Sequence, residues 1–168
     1  MNLYLLRHGI AEERGTPGRD SERPLTGEGK DQLRSIGKAM KKMDLPFDRI
    51  LSSPYVRARQ TAEIVSQTLK KSDLIQFTDA LICERNPAAL IQEINAADSR
   101  AEEILLVGHE PFMSRLISML LSGKENCEIL FKKGGLCRLE VKDLKWGQCA
   151  CLRWLLTPKQ LMAIASKA

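Results

Sequence analysis

The sequence predicts an α/β fold: a single-domain three-layer α/β/α sandwich whose central sheet is mostly parallel and carries a C-terminal hairpin. Short apolar runs alternate with segments of helical periodicity along the chain, the pattern of strands connected by covering helices. Residues 104–107 read Ile-Leu-Leu-Val, an uninterrupted apolar run that is typical of a central strand covered on both faces. Two further apolar runs flank Trp146-Gly147, which predicts an antiparallel pair joined by a turn. No linker, repeat or low-complexity tract divides residues 1–168, so one domain is expected.

The elements follow from periodicity and from capping residues. Thr26 is placed to cap the first helix, and Ser53-Pro54 combines a capping hydroxyl with a proline suited to the first turn of the second helix. Residues 10–24 are polar and contain several Gly and Pro, which predicts a loop long enough to have a function. The predicted strands are 3–6, 47–51, 74–77, 104–107, 136–141 and 149–156. The predicted helices are 28–43, 54–70, 87–96, 112–121 and one that begins at 157–158, with 78–86 irregular.

The bulk composition excludes several classes of protein. The net charge is +5, but basic and acidic residues are intermixed and aromatics are only 5%, so the basic stripe and stacking platform of a nucleic-acid-binding protein are missing. No apolar run has the roughly 20 residues of a membrane span, and no signal peptide is recognised at the start. We therefore expect a cytoplasmic protein that is a monomer or a weak oligomer.

The cysteines argue against a zinc site and against a disulfide framework. Their number is odd and no CxxC pair occurs, so reduced thiols are expected. They are Cys83, Cys127, Cys137, Cys149 and Cys151.

Candidate functional residues follow three of the predicted strands. Arg7 and His8 come directly after the first strand, Arg57 lies in the first turn of the helix after the second, and His109 follows the apolar run at 104–107. If these strands are parallel, their carboxyl ends share one edge of the sheet, where ligands bind in open α/β folds. Helix N-termini at that edge add backbone N–H groups and positive dipole ends.

These residues favour a phosphate site over a metal site. His8 and His109 are the only histidines of the chain, and each adjoins a glycine. A lone histidine is more often a satisfied polar residue near the core, but two at strand ends favour chemistry. A metal ion would lack a third ligand at a matching position and would be repelled by Arg7, so we expect neither metal nor cofactor. Arginine presents a planar fork that fits two phosphate oxygens, and nearby cations keep an imidazole neutral and nucleophilic.

Three motifs in order resemble the histidine phosphatase superfamily, also called phosphoglycerate mutase-like. They are Leu-Arg-His-Gly at 6–9, Ser-Ser-Pro-x-x-Arg-Ala-x-Gln-Thr at 52–61 and Gly-His-Glu-Pro at 108–111. The small size and Arg-Pro-Leu-Thr at 23–26 are most similar to the SixA-type branch, which removes phosphate from phosphohistidine in histidine-containing phosphotransfer proteins. The resemblance implies that His8 becomes phosphorylated, that Arg7 and Arg57 hold the phosphoryl oxygens and that His109 completes the pocket. It places Arg23 at the mouth of the site, whereas Arg59 is expected to lie on the surface.

One position departs from the ester-cleaving members of this family. In those members the loop after the third strand carries a glutamate as general acid, at a position where Cys83 stands here, and Glu84 comes one residue later. An alkoxide leaving group needs a proton, whereas the imidazole of phosphohistidine can take its proton from water on the other ring nitrogen. The departure therefore favours a phosphohistidine protein as substrate. Two alternatives stay open: a small-molecule phosphate-ester phosphatase with Glu84 as acid, and a non-catalytic phospho-binding module.

Overall fold

The structure, a computed structural model, describes residues 1–13, 19–97 and 101–166, and its described strands form one six-stranded sheet of order β3-β2-β4-β1-β5-β6. The pairings β1–β4, β4–β2 and β2–β3 are parallel, whereas β5 runs antiparallel to β1 and β6 antiparallel to β5. The strands are β1 (Asn2–Arg7), β2 (Arg49–Ser52), β3 (Ile75–Phe77), β4 (Glu103–Gly108), β5 (Leu136–Val141) and β6 (Ala150–Leu156). The predicted mostly parallel sheet with a C-terminal hairpin is confirmed.

Helices cover both faces of this sheet and complete the predicted three layers. Residues of α1, α2 and α5 share one apolar cluster with one face of the sheet, and residues of α3 and α4 share a second cluster with the other face. The helices are α1 (Gly27–Lys42), α2 (Val56–Leu69), α3 (Pro87–Ala96), α4 (Phe112–Ser122) and α5 (Pro158–Ser166). None of the helices in the described ranges is both long and apolar enough to cross a membrane.

The central strand β1 is buried on both sides because its side chains alternate between the two clusters. Leu3 and Leu5 face one cluster, whereas Tyr4 and Leu6 face the other. Burying a side chain of this size contributes about 1.5–3 kcal/mol. The two-sided burial explains the apolar runs of β1 and of its neighbour β4, and it fixes both strands at the centre of the sheet.

Several element boundaries differ from the sequence prediction by one or two residues, and the second strand begins at Arg49 rather than at residue 47. The second helix begins at Val56 rather than at residue 54, because Tyr55 keeps an extended backbone and is the residue before the first helical turn. The third strand begins at Ile75 because residues 72–74 form a 3₁₀ turn, and the segment 78–86 contains a further turn at Asp79–Leu81. Residues 14–18 of the predicted loop lie outside the described residues.

The register of the parallel strands brings three chain segments together at the carboxyl edge of the sheet. Arg7 of β1 is the partner of Gly108 in β4. Beyond the strands, the His8 N–H donates to the carbonyl of Gly108 at 3.0 Å, and the Ser53 N–H donates to the carbonyl of Val107 at 3.0 Å. The residues that follow β1, β2 and β4 are therefore neighbours, as the sequence predicted.

Candidate active site

His8 presents one ring nitrogen for chemistry and uses the other for anchoring. Its Nδ1 lies 2.8 Å from the carbonyl oxygen of Gly9, an acceptor, so Nδ1 carries the proton and Nε2 keeps its lone pair. The Gly9 N–H in turn donates to Thr61 Oγ1 at 3.1 Å, which holds this carbonyl in place. Burial lowers the pKa of His8 to about 3, and nearby His109, Arg57 and Arg7 act in the same direction. His8 is therefore neutral near pH 7.

Arg57 is buried beside His8 with every part of its guanidinium engaged. It is the second residue of α2 and only 3% exposed. Its Nε donates to His8 Nε2 at 3.3 Å. Its Nη1 donates to the Asp20 carbonyl at 2.7 Å, and its Nη2 donates to Asp20 Oδ2 at 3.0 Å. A fixed cation and a carboxylate thus lie next to the unprotonated Nε2 of His8.

Arg7 reaches the same site from the end of β1. Its Nη1 donates to the carbonyl of Phe131 at 2.6 Å, and burial lowers the pKa of the guanidinium. The backbone of Gly134 donates to the carbonyls of Arg7 and His8, and the glycine allows the positive φ of 74° found there. The segment before β5 therefore closes one side of the site.

His109 lies between two other rings. Its centroid is 5.1 Å from that of His8 and 5.1 Å from that of Tyr55. Its Nε2 lies 2.8 Å from the hydroxyl of Ser53, and the side chain is 1% exposed. Burial lowers the pKa of His109 to about 3, with the cation of Arg57 acting in the same direction. His109 is therefore a second neutral imidazole.

Two buried polar atoms of this site have no partner. Among the described residues, the buried side-chain atoms without a hydrogen bond are Arg7 Nε, Gln32 Oε1, Arg49 Nη1 and His109 Nδ1. Arg7 adjoins His8 in the chain and His109 adjoins it in space. Leaving a buried donor unpaired is costly, so such atoms need an explanation. A group with several anionic oxygens would supply acceptors for them.

Arg23 joins the site through Asp20. Its Nε donates to Asp20 Oδ1 at 2.8 Å, and its Nη1 donates to the carbonyl of Glu12 at 2.6 Å. Burial alone would raise the pKa of Asp20, but Arg57 and Arg23 hold it below its usual value. Asp20 was not predicted from the sequence, although its position three residues before Arg23 in a polar loop could have suggested a pair.

Glu84 lies at the rim of the site, and its side chain is exposed. The Tyr55 hydroxyl donates to its Oε2 at a long 3.4 Å. A hydrogen bond from the Cys83 thiol, above all, holds the pKa of Glu84 below its usual value, whereas burial raises the pKa of Cys83 itself to about 11. A general acid needs the opposite shift, since it must hold a proton near pH 7.

Among the other residues around the site, the position of Arg59 was predicted and the contacts of three further residues were not. Arg59 pairs with Glu63 at 2.8 Å on the surface of α2, as expected for a residue outside the pocket. The contacts of Ser53, Tyr55 and Thr61 were not predicted, although all three lie in the motif at 52–61.

Within the described residues, no group of three or more His, Cys, Asp or Glu side chains could hold a metal ion. The five cysteines are all free thiols.

Comparisons with known proteins identify the family of this chain. The family model of the histidine phosphatase superfamily (branch 1) matches residues 3–86. The chain is 27% identical to the phosphohistidine phosphatase SixA of Escherichia coli over 129 residues, 74% of this chain and 76% of that protein. It is 29% identical to a SixA homolog of Haemophilus influenzae over 134 residues, 75% of this chain and 80% of that protein.

A solved structure of the protein histidine phosphatase SixA complexed with tungstate has the same fold. The TM-score is 0.83 at 23% identity, covering 96% of this chain and 99% of that one. The matched family model spans the motifs that carry Arg7, His8 and Arg57. The chain is therefore a phosphatase of the histidine phosphatase superfamily, branch 1, and among the members of that superfamily it is similar to the SixA proteins.

Proposed function

We propose that the protein removes the phosphoryl group from phosphohistidine on another protein, through a covalent phosphohistidine intermediate on His8. One observation carries the proposal. The unprotonated Nε2 of a neutral His8 accepts from Arg57 Nε at 3.3 Å, the His109 ring lies 5.1 Å from the His8 ring, and Arg7 Nε and His109 Nδ1 are buried without a partner. A nucleophile surrounded by fixed donors suits a transferring phosphoryl group, whose charge spreads over its equatorial oxygens. The SixA protein that shares this fold was solved with tungstate, an oxyanion shaped like phosphate, which supports an oxyanion as the ligand.

In the first step the lone pair of His8 Nε2 attacks phosphorus. A bond from Nε2 to phosphorus forms as the bond from phosphorus to the substrate imidazole breaks, and the departing ring keeps the bonding electrons. That ring has taken a proton from water on its other nitrogen, so it leaves as a neutral imidazole. Arg57, Arg7 and His109 hold the phosphoryl oxygens. These oxygens replace Asp20 as the acceptor for Arg57, and they give Arg7 Nε and His109 Nδ1 the partners that these atoms now lack.

In the second step water attacks the phosphorus of phosphorylated His8 and releases inorganic phosphate. His8 keeps its Nδ1 proton throughout, because that proton is donated to the Gly9 carbonyl at 2.8 Å. The phosphorylated ring is therefore cationic and leaves as a neutral imidazole when the bond between nitrogen and phosphorus breaks. No proton has to reach or leave His8 in either step, which suits a buried side chain.

The carboxylates around the site favour a substrate with an easy leaving group. Arg57 and Arg23 keep Asp20 ionised, and the Cys83 thiol does the same for Glu84. Neither carboxylate is held in the protonated form that would assist an alkoxide. Phosphohistidine avoids this need because its imidazole receives a proton from water.

The mouth of the site suits a side chain displayed on a folded protein. A groove of about 410 Å³ is lined by Glu12, Arg23, Lys133 and two neighbouring residues. Arg23 connects this groove to the pocket through Asp20. We infer that the substrate is a phosphorylated histidine-containing phosphotransfer protein, that Arg23 contacts it at the mouth, and that the enzyme acts in the cytoplasm as a monomer or weak oligomer.

Replacing the nucleophile tests the proposal directly. We expect His8→Ala to abolish release of phosphate from a phosphohistidine protein without unfolding the domain, because no other described group offers an equivalent lone pair. Turnover is measured as inorganic phosphate released, and folding by circular dichroism. The wild type should also form an acid-labile phosphoenzyme that His8→Ala lacks. Undiminished turnover by His8→Ala would refute the assignment, and no turnover by the wild type would favour a phospho-binding module.

A pair of arginines on α2 offers a matched comparison. Arg57→Lys should lower kcat by at least about 100-fold, because an ammonium group cannot reproduce the fork that holds the phosphoryl oxygens. Arg59→Lys, two residues away and exposed, should stay within about twofold of the wild type. Steady-state kinetics on the same phosphohistidine protein measure both. Equal losses in the two variants would contradict a special role for Arg57.

Glu84→Gln distinguishes the main proposal from the alternative of an ester-cleaving phosphatase. That alternative stays open because Glu84 contacts Tyr55, which packs against His109 in the site. We expect the variant to cleave phosphohistidine at the wild-type rate within about twofold, because the leaving imidazole needs no acid from the protein. The assay should include an alkyl phosphate, whose leaving group is poor. A loss of about 100-fold on the alkyl phosphate, together with substantial wild-type activity on it, would identify Glu84 as the acid and favour the ester substrate.

The two buried histidines should make the fold less stable in mild acid. Their pKa values are about 3 in the folded protein and about 6.5 in an unfolded chain. Below pH 6.5 the unfolded chain therefore binds protons that the folded protein does not. Stability should fall by about 1.4 kcal/mol per histidine for each pH unit between 6 and 3. Urea unfolding from pH 7 to 4 measures this, and His8→Asn should reduce the slope. A stability that is unchanged from pH 6.5 to 5 would contradict it.

A further inference from the structure

The hydroxyl of Ser53 makes a buried contact whose direction can be worked out from its neighbours. Ser53 follows β2 and is 0% exposed, and its backbone N–H is fixed to the carbonyl of Val107 at 3.0 Å. Its Oγ lies 2.8 Å from His109 Nε2 and also accepts a weak hydrogen bond from the Tyr55 N–H at 3.4 Å. Because His109 follows the strand to which Ser53 is bound, the two side chains meet in a fixed geometry.

Only one assignment of protons satisfies this contact. A serine hydroxyl has one proton to donate, and in the residues that the structure describes His109 Nε2 is the acceptor within reach of Ser53. If His109 instead donated from Nε2, the buried proton of Ser53 would have no acceptor. His109 would then also keep a buried Nδ1 lone pair without a partner, close to the cation of Arg57 and to a site that suits an anion. Both faults disappear when Ser53 donates to Nε2 and Nδ1 carries the proton.

The same assignment gives His109 a defined role. The ring is neutral, since burial lowers the pKa of His109 to about 3, so its tautomer decides what it can donate. Tyr55 packs against the ring at 5.1 Å between centroids and restricts its rotation. The Nδ1–H is then a donor that no group in residues 1–13, 19–97 and 101–166 accepts from.

We propose that Ser53 is a positioning residue that holds His109 in the Nδ1–H tautomer, so that this N–H donates to the phosphoryl group during its transfer to His8. The catalytic half of this inference rests on the function proposed above, whereas the tautomer is a property of the protein alone. An experiment can therefore refute the catalytic role without refuting the tautomer, and the reverse.

The tautomer can be read in the wild-type protein without any substrate. Long-range ¹H–¹⁵N correlation spectra of the imidazole rings distinguish a protonated ring nitrogen from an unprotonated one. With only two histidines in the chain, His109→Asn assigns both sets of signals. At pH 7 we expect a protonated Nδ1 and an unprotonated Nε2 in His109. A His109 that is protonated at Nε2 would overturn the proposal.

Two serine variants test the role of the hydroxyl. In Ser53→Ala the signals of His109 should shift toward the Nε2–H form, and kcat on a phosphohistidine protein should fall about tenfold, with KM within about threefold of the wild type. Ser52→Ala is the matched control, because Ser52 is equally buried but its hydroxyl donates to the Ser53 carbonyl and not to a ring. It should leave the tautomer unchanged and kcat within about twofold.

The remaining outcomes also decide the question. Ser53→Thr keeps the hydroxyl and should keep the wild-type tautomer, which guards against a general packing effect in Ser53→Ala. An unchanged His109 spectrum in Ser53→Ala would overturn the proposal, as would a changed tautomer with an unchanged kcat. If the wild type cleaved no phosphohistidine protein, the proposed function would fail, while the spectra would still confirm or refute the role of Ser53 in setting the tautomer.

Discussion

The parallel pairing of β1 with β4 is the constraint on which the site depends. It sets Arg7 opposite Gly108, so that the residues that follow, His8 and His109, emerge side by side. Successive side chains of a strand point to opposite faces, so a slip of one residue would turn one imidazole away from the other. The two apolar clusters oppose such a slip, because each strand buries alternate side chains in both. The free energy of core packing therefore also maintains the geometry of the site.

The resting site satisfies most of its charges with protein groups. Asp20 accepts from Arg57 and Arg23 at the same time, so the carboxylate neutralises cations that would otherwise face one another at the mouth. Under the proposed function, a phosphoryl group that enters would take over the donors of Arg57 that now contact Asp20, and the leaving phosphate would return them. Asp20 thus competes with any anion that enters the site. A ligand that also bonds to Arg7 Nε and His109 Nδ1 gains hydrogen bonds that the resting site lacks.

The sequence predicted the three-layer fold, the mostly parallel sheet and the meeting of Arg7, His8, Arg57 and His109, because strand ends and helix starts leave strong local signals. It did not predict Asp20, whose contacts depend on how a polar loop without periodicity folds back over α2. The start of α2 was wrong by two residues because Tyr55 keeps an extended backbone, so the helix begins only after it. The contacts of Asp20 and the start of α2 depend on tertiary contacts, about which a local sequence pattern carries little information.

The immobilisation of Arg57 has a thermodynamic consequence. Its guanidinium is buried and held by three hydrogen bonds before any substrate arrives. Ordering a side chain of this length costs about 1.5–2 kcal/mol of conformational entropy. Here that entropy is lost when the chain folds, so it does not weaken each binding event. Under the proposed function, a substrate protein would have to order only its own phosphorylated side chain, which would leave more of the interaction free energy for the transition state.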